Sequence, residues 1–321
     1  MASLTSATPQ SPNRGPIARI GQWLNAMPHP ATVVEITAQR VAAARWTKSR
    51  HLESFAVEPL PLGAVMPSPV DTNVVQPEAL ASALRRLFTR VPHHGAPIAV
   101  LVPDAVVRVF ILPFESLPRK AEEALPLLRW RLKKSVPFDV DETVVSWMRQ
   151  LGRDGNLEVM AAISRQRIIR EYEQAIESLG AGVGVVLGST LASLPLLDDR
   201  GSTLLIRMSG KTLTTVIVRG SNLCVYRSSE ISTSLATHAM LDEIFPATAY
   251  YQDIWGESVD RARLAGSGSR DEVFRLALAE ELRVPVAPLS EGLDSFNLGS
   301  NARDLIEQDL DALVGWTLNG A

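Results

Sequence analysis

The chain predicts an α/β protein of two related lobes, and three observations carry that prediction. Residues 32–46 and 51–57 read as three short strands, followed by helical periodicity through Leu80, Leu84 and Leu87 and a short apolar strand at 98–102 bounded by prolines. Residues 204–227 repeat the strand–turn–strand pattern and are again followed by helices. A length of 321 residues with 46% apolar content suffices for two cores of ordinary size. Strands that alternate with helices indicate α/β layers and not a sandwich.

The elements follow in order. Residues 1–16 are rich in Ser, Thr, Pro and Asn and read as a disordered tail. Ile17, Ile20, Leu24 and Met27 recur at helical spacing with Trp23 beside them, a short amphipathic helix closed by Pro28 and Pro30. Such a helix is too short to be stable alone and is expected to dock on its own domain. A polar turn at 37–40 separates the first two strands. A strand at 106–112 and a charged helix at 119–134 come next, the helix ending before Pro137 because proline disfavours a helical predecessor. Strands at 143–151 and 157–163 pair across Asp154-Gly155-Asn156, and Ser164 is the expected N-cap of a helix at 165–179 that Gly180 terminates. Together these make a small α+β module between two larger halves. The second half reads as a strand at 183–187, a short helix at 190–197, strands over 203–227 and a helix over 232–255. A strand at 259–265 then runs into Gly266-Ser267-Gly268, before a helix at 271–282 and a last helix at 302–318 with Leu305, Leu310, Leu313 and Trp316 as its buried stripe.

Composition excludes several function classes. A net charge of −3 from 32 basic and 35 acidic residues gives no global field for nucleic acid or anionic membrane. The single Cys224 excludes an internal disulfide and fits a reducing compartment. No apolar run approaches the roughly 18–20 residues of a membrane span, and the first thirty residues lack a basic segment followed by an apolar core. The expectation is a cytoplasmic protein that neither spans a membrane nor is secreted.

His29, His51, His93, His94 and His238 have no Glu or Cys at metal-ligand spacing, and no Gly-x-Ser-x-Gly elbow occurs. Asp139, Asp141 and Glu142 alternate on an extended segment, which argues against a paired acid and base. The helix bearing Arg119, Lys120, Arg129, Arg131, Lys133 and Lys134 is interleaved with Glu122, Glu123 and Trp130 and reads as solvated or partner-facing. The turn after residue 207 contains Gly210-Lys211-Thr212, the tail of a P-loop signature, but Leu205 stands where the first glycine belongs and a β-branched run follows where a helix is needed. A surface hairpin turn is the simpler reading.

Several segments together resemble the type IV pilus assembly protein PilM, a member of the actin-like group that includes FtsA. They are LPFESLPRKAEEALPLLRWRLKKSVPFDVDETVVSWMRQL (112–151), LEVMAAISRQRIIREYEQAIESLGA (157–181) and RLAGSGSRDEVFRLALAEEL (263–282), with 312–318 resembling the family's C-terminal end. The resemblance spans 32–318 and implies an actin-like, ribonuclease H-like two-lobed fold. On that reading residues 1–30 are tail and amphipathic helix, 31–187 a first lobe with an inserted module at about 104–182, and 188–321 a second lobe whose last helix returns to the first.

Actin-like ATPases hold phosphate on strand–turn–strand units carrying Asp-x-Gly, the carboxylate positioning Mg²⁺ and the glycine admitting backbone N–H groups. This sequence departs from that pattern at three places. Glu35 and Thr37 stand in the first turn. Arg207 and Ser209 stand in the second, where a permanent cation replaces a metal ligand. Ser232-Thr233-Ser234 replaces a glycine turn, and the following segment is short for a full helical subdomain. Residual nucleotide-site positions are therefore Glu35, Thr37, Arg207, Ser209, Gly210, Lys211, Gly266, Ser267 and Gly268, with ATP and Mg²⁺ disfavoured as cofactors and no catalytic residue assigned. The resemblance implies a cytoplasmic scaffold at the inner membrane that binds the tail of a PilN-like bitopic protein between the inserted module and the first lobe, with Trp130, Val136, Phe138 and Trp147 as expected anchors. Membrane contact would be indirect or through the 17–27 helix. Two alternatives stay open: an active ATPase of the same fold, using Glu35, Lys211 and the Gly266 turn, and a GspL-like secretion component, which would be expected to continue past Ala321 into a membrane helix.

Overall fold

A computed structural model describes residues 29–198, 200–220, 222–232, 237–267, 271–291, 293 and 300–318. The tail, the 17–27 helix, Gly268, Thr233 and Ser234 lie outside the described residues.

Strands β1 (Thr32–Ile36), β2 (Arg40–Trp46) and β3 (Leu52–Pro59) form an antiparallel meander. Helix α1 (Pro77–Arg90) buries Leu80, Ala83, Leu84 and Leu87, one stripe at helical spacing, and returns the chain to β4 (Ile98–Val102), parallel to β1. The module then inserts as β5 (Arg108–Phe114), α2 (Ala121–Leu132), β6 (Thr143–Leu151) and β7 (Leu157–Arg165), an antiparallel sheet of order β5-β7-β6. Gly155 at the β6–β7 turn takes φ 75, a left-handed conformation open to glycine.

Helix α3 (Gln166–Glu177) packs Ile168, Ile169, Tyr172 and Ile176 into the first lobe. Ser164 is not its cap. It remains in β7, and its hydroxyl donates to the Val106 carbonyl at 2.9 Å, a tertiary contact that outweighs the local capping preference. Strand β8 (Val183–Gly188) pairs parallel to β4 and is an edge strand among the described residues.

The second lobe repeats the first. After the short helix α4 (Ser189–Ser193) come β9 (Ser202–Ser209), β10 (Thr212–Arg219) and β11 (Asn222–Glu230), helix α5 (Thr237–Trp255), β12 (Arg261–Gly266), helix α6 (Glu272–Leu282) and β13 (Val286–Pro288). The two five-stranded sheets have orders β3-β2-β1-β4-β8 and β11-β10-β9-β12-β13, the same topology twice. Between β11 and β12, α5 is the sole helix among the described residues.

The last helix expected from sequence is two, α7 (Ser300–Glu307) and α8 (Asp311–Leu318). Asp309 adopts φ 61, and the Arg40 guanidinium donates to the Gln308 and Asp309 carbonyls at 3.0 and 2.6 Å, holding the break in place. The stripe survives it: Leu305, Leu310, Leu313 and Trp316 are all buried. Helix α8 lies against β1, β2 and α4. Its approach to α4 requires Gly315, where a Cβ would stand 2.2 Å from the Ala192 carbonyl oxygen.

Candidate functional site

Ligands of open α/β sheets gather beyond the carboxyl ends of the central strands. In this protein β1 and β9 are those strands, and the residues at their ends meet each other. Arg207 is 2% exposed and each of its three guanidinium nitrogens faces a different carboxylate: Nη2 lies 2.9 Å from Glu35 Oε1, Nε 2.9 Å from Asp311 Oδ2 and Nη1 3.7 Å from Asp104 Oδ2. Glu35 comes from β1, Asp104 from the turn after β4, and Asp311 from the first residue of α8, where the helix dipole favours a negative charge. Burial would lower the arginine's pKa, but the attraction of Asp311, Glu35 and Asp104 outweighs it and raises the pKa above its ordinary value, so the charge is permanent.

Further hydrogen bonds fix the carboxylates. Asp104, of the first lobe, accepts from the Thr190 N–H at 2.9 Å, Tyr226 OH at 3.1 Å and Thr214 Oγ1 at 3.2 Å, all three from beyond β8, so it too ties the lobes together. Burial, then the neighbouring Asp104, pushes the Tyr226 phenol far above its usual pKa and keeps it a donor. Asp311 also accepts from Ser193 Oγ at 2.6 Å. Glu35 Oε2 and Asp311 Oδ1 have no hydrogen-bond partner, the residue of placing three acids around one base.

The turns that would cradle phosphate are closed on themselves. Thr37 Oγ1 accepts from the Gln39 and Arg40 N–H groups at 3.3 and 3.1 Å and donates to the Arg40 carbonyl, so these amides already have an acceptor. Gly210, φ 60, begins the second turn, and the Gln39 side chain packs so closely on it that a Cβ would stand 2.7 Å from Nε2. The two turns therefore touch. Gly266, φ 70, lies against β9, and the Ser267 N–H donates to the Met208 carbonyl at 3.0 Å. Ser209 ends β9, and Lys211 is exposed at the hairpin tip.

Sequence reasoning identified Glu35 and Arg207 but missed Asp104 and Asp311. The available signal was a lone acid in each of two apolar stretches, VLVPDAVV and LDALVGW, where a buried charge demands a partner. Among the described residues no group of three or more His, Cys, Asp or Glu is placed to hold a metal ion.

A shallow groove of about 60 Å³ runs between the module and the first lobe, lined by Val107, Val144, Ser146, Ile169, Val186 and Leu191 among others. Its walls include residues of β6 and β8, edge strands of their sheets among the described residues, with Ala162, Ile163 and Ser164 of β7. The expected anchors do not line it. Val136, Phe138 and Trp147 pack against Leu132, Val140, Ala161 and Ile163 beneath α2, on the other face of the module sheet, and Trp130 is 71% exposed on α2. Strand alternation explains the miss: Trp147 and the groove-lining Val144 and Ser146 differ by odd steps in β6, so Trp147 shares a face with neither Ser146 nor Val144.

A five-stranded sheet repeated in two lobes, with the cleft between the central strands, defines an actin-like fold. No family model and no curated protein matches the chain. Among solved structures, the PilM-PilN type IV pilus biogenesis complex matches with a TM-score of 0.71 at 19% identity, over 91% of this chain and 99% of the matched chain. That likeness establishes the fold. The cytoplasmic domain of EpsL, an inner membrane component of the type II secretion system of Vibrio cholerae, gives a TM-score of 0.47 at 13% identity, covering 73% of this chain and 81% of that one. A Bacteroides thetaiotaomicron protein with an actin-like ATPase fold gives 0.48 at 11%, covering 81% and 91%. No helix among the described residues is long and apolar enough to cross a membrane.

Proposed function

We propose that this chain is a nucleotide-independent adaptor of a type IV pilus or related secretion assembly, stationed at the cytoplasmic face of the inner membrane by the tail of a PilN-like bitopic protein. The observation that carries the reading is the Arg207 guanidinium among Glu35, Asp104 and Asp311. On this reading the protein's own cation takes the place of a magnesium-bound triphosphate, and the pairing of the adjoining turn amides supports it. A fold that keeps its cleft closed in this way has no need of hydrolysis to hold its shape. The likeness to the chain solved in a PilM-PilN complex supports the assembly and the partner.

The tail is assigned to the groove between β6 and β8. Two unpaired strand edges offer backbone hydrogen bonds to an extended peptide, and walls of Val107, Val144, Ile169, Val186 and Leu191 accept aliphatic side chains while offering nothing to a charged one. A free space of about 60 Å³ suits the side chains of a strand and is well below the several hundred Å³ of a small-molecule pocket.

Two titrations of the full chain test the reading. Mg²⁺·ATP at millimolar concentration is expected to leave the melting temperature unchanged, whereas a ligand at 100 times its Kd would add about 2.7 kcal/mol. A labelled peptide of a PilN-like cytoplasmic tail is expected to bind, and to lose binding on Val144→Arg but not on Trp130→Ala. Micromolar ATP affinity, or tail binding indifferent to Val144→Arg, would overturn it.

A further inference from the structure

At the end of β1 and β2 opposite the Arg207 cluster, a cavity of about 310 Å³ opens between the first sheet and α8. It is lined by His29, Trp46, Thr47, Lys48, Arg50 and Trp316 among others. The size falls within the range of small-ligand sites, and the chemistry of the wall is uneven in a way that a packing defect is not.

Three of the lining residues carry flat rings. Trp46 and Trp316 are buried, and the His29 ring stacks on Trp316 at 4.5 Å and 15°. Trp316 is satisfied, since its indole N–H donates to the Pro30 carbonyl at 3.0 Å. Trp46 is not: its indole nitrogen is buried and has no acceptor. A buried donor left unfilled is destabilising, and a ligand acceptor would relieve it.

The rim is cationic. Lys48 and Arg50 stand on the tight turn between β2 and β3, held by the Thr47 N–H to His51 carbonyl bond at 2.9 Å and the Arg50 N–H to Thr47 carbonyl bond at 3.0 Å. Arg50 takes φ 64, a conformation rare for a residue with a side chain. No carboxylate among the described residues pairs with either cation, although this chain carries more acids than bases. Burial, and then the charge of Arg50, holds His29 below its ordinary pKa, so its ring is a neutral stacking surface near pH 7.

We propose that this cavity binds a small anion bearing a planar heteroaromatic ring, the ring lying against His29 beside Trp46 and a phosphate or carboxylate held by Lys48 and Arg50. Flat rings stack favourably on aromatic side chains, and the guanidinium fork matches a phosphate in two hydrogen bonds. With no acid in the wall, the ligand binds without a divalent cation. That property separates this site from any nucleotide site in the cleft.

Isothermal titration of the full chain in EDTA with guanosine 5′-monophosphate, cytidine 5′-monophosphate, guanosine and inorganic phosphate tests the proposal. A monophosphate is expected to bind about tenfold or more tightly than guanosine or phosphate alone. The Lys48→Glu, Arg50→Glu double variant, altered only at a surface turn and expected to melt like the parent, should lose at least that factor. Trp46→Phe, which keeps the ring and removes the N–H, should weaken binding severalfold, and Lys211→Glu at the cleft should change nothing. Silence from both monophosphates at millimolar concentration overturns the proposal. So does phosphate binding as tightly as the monophosphates, or binding that needs Mg²⁺ or responds to Lys211→Glu.

Discussion

Arg207 Nη2 lies 2.9 Å from Glu35 Oε1, although the two residues stand 172 positions apart on the central strands of different sheets. The contact is buried at both ends and joins the two lobes. Four expected outcomes follow from it and its surroundings.

Removing the guanidinium leaves three buried acids without their counter-charge. Arg207→Met is expected to destabilise the protein by about 3–5 kcal/mol, the usual consequence of breaking a buried pair from one side. Arg207→Lys keeps the charge but cannot address three carboxylates with three nitrogens, and should recover only part of that loss. Urea unfolding measures both; a loss below about 1 kcal/mol for Arg207→Met would show that the cluster does not hold the lobes together.

Replacing glycine by alanine inside an exposed helix ordinarily stabilises by about 0.5–1 kcal/mol. At Gly315 the sign should reverse, because the new methyl would stand 2.2 Å from the Ala192 carbonyl oxygen and 2.8 Å from the Ser193 Cα. Gly315→Ala is therefore expected to lower stability by about 1–3 kcal/mol, the range for an overpacked core, with a matching fall in melting temperature.

Gln150 ties the module to the second lobe as a strand would. Its Nε2 donates to the Leu223 carbonyl at 2.8 Å while its Oε1 accepts from the Leu223 N–H at 3.2 Å. Gln150→Glu removes the donor and brings a second carboxylate toward Glu158, the other acceptor of Nε2. Hydrogen exchange at Leu223 should accelerate, and stability should fall by about 1–3 kcal/mol. Unchanged exchange at Leu223 would mean that other contacts, such as β5 on β11 and the Asn222 side chain on the Leu151 carbonyl, suffice to seat the module.

His29 is expected to titrate below its ordinary value, first because it is partly buried and second because of Arg50. As pH falls through about 6.5 the unfolded chain takes up this proton before the folded one, so stability should decline between that pH and the lower folded pKa. Arg50→Gln should raise the His29 pKa toward its ordinary value, read by NMR titration. A pKa unmoved by Arg50→Gln would place the guanidinium away from the ring.

Much of the fold was legible because it is written in local periods. The stripe of Leu80, Leu84 and Leu87 marks α1, and the apolar runs around Ala99 and Leu205 mark strands buried on both faces. Where the reading slipped, a distant partner had overruled a local rule. Ser164 gave up capping for a bond to Val106, and the break before Asp311 depends on Arg40, about 270 positions away in the chain. The candidate site was half legible. Arg207 and Thr37 stand out in the sequence as departures from an Asp-x-Gly turn, but that the arginine would turn inward onto Glu35 with Asp104 and Asp311 beside it is a property of the packed lobes and of no segment taken alone.

The ion that joins the two lobes is covalently part of the chain. It is never diluted, exchanged or consumed, so its hold on the two lobes is set when the protein folds and depends on the concentration of no free ion. Parting them would mean exposing a cation and three anions at once, and thermal motion seldom does that.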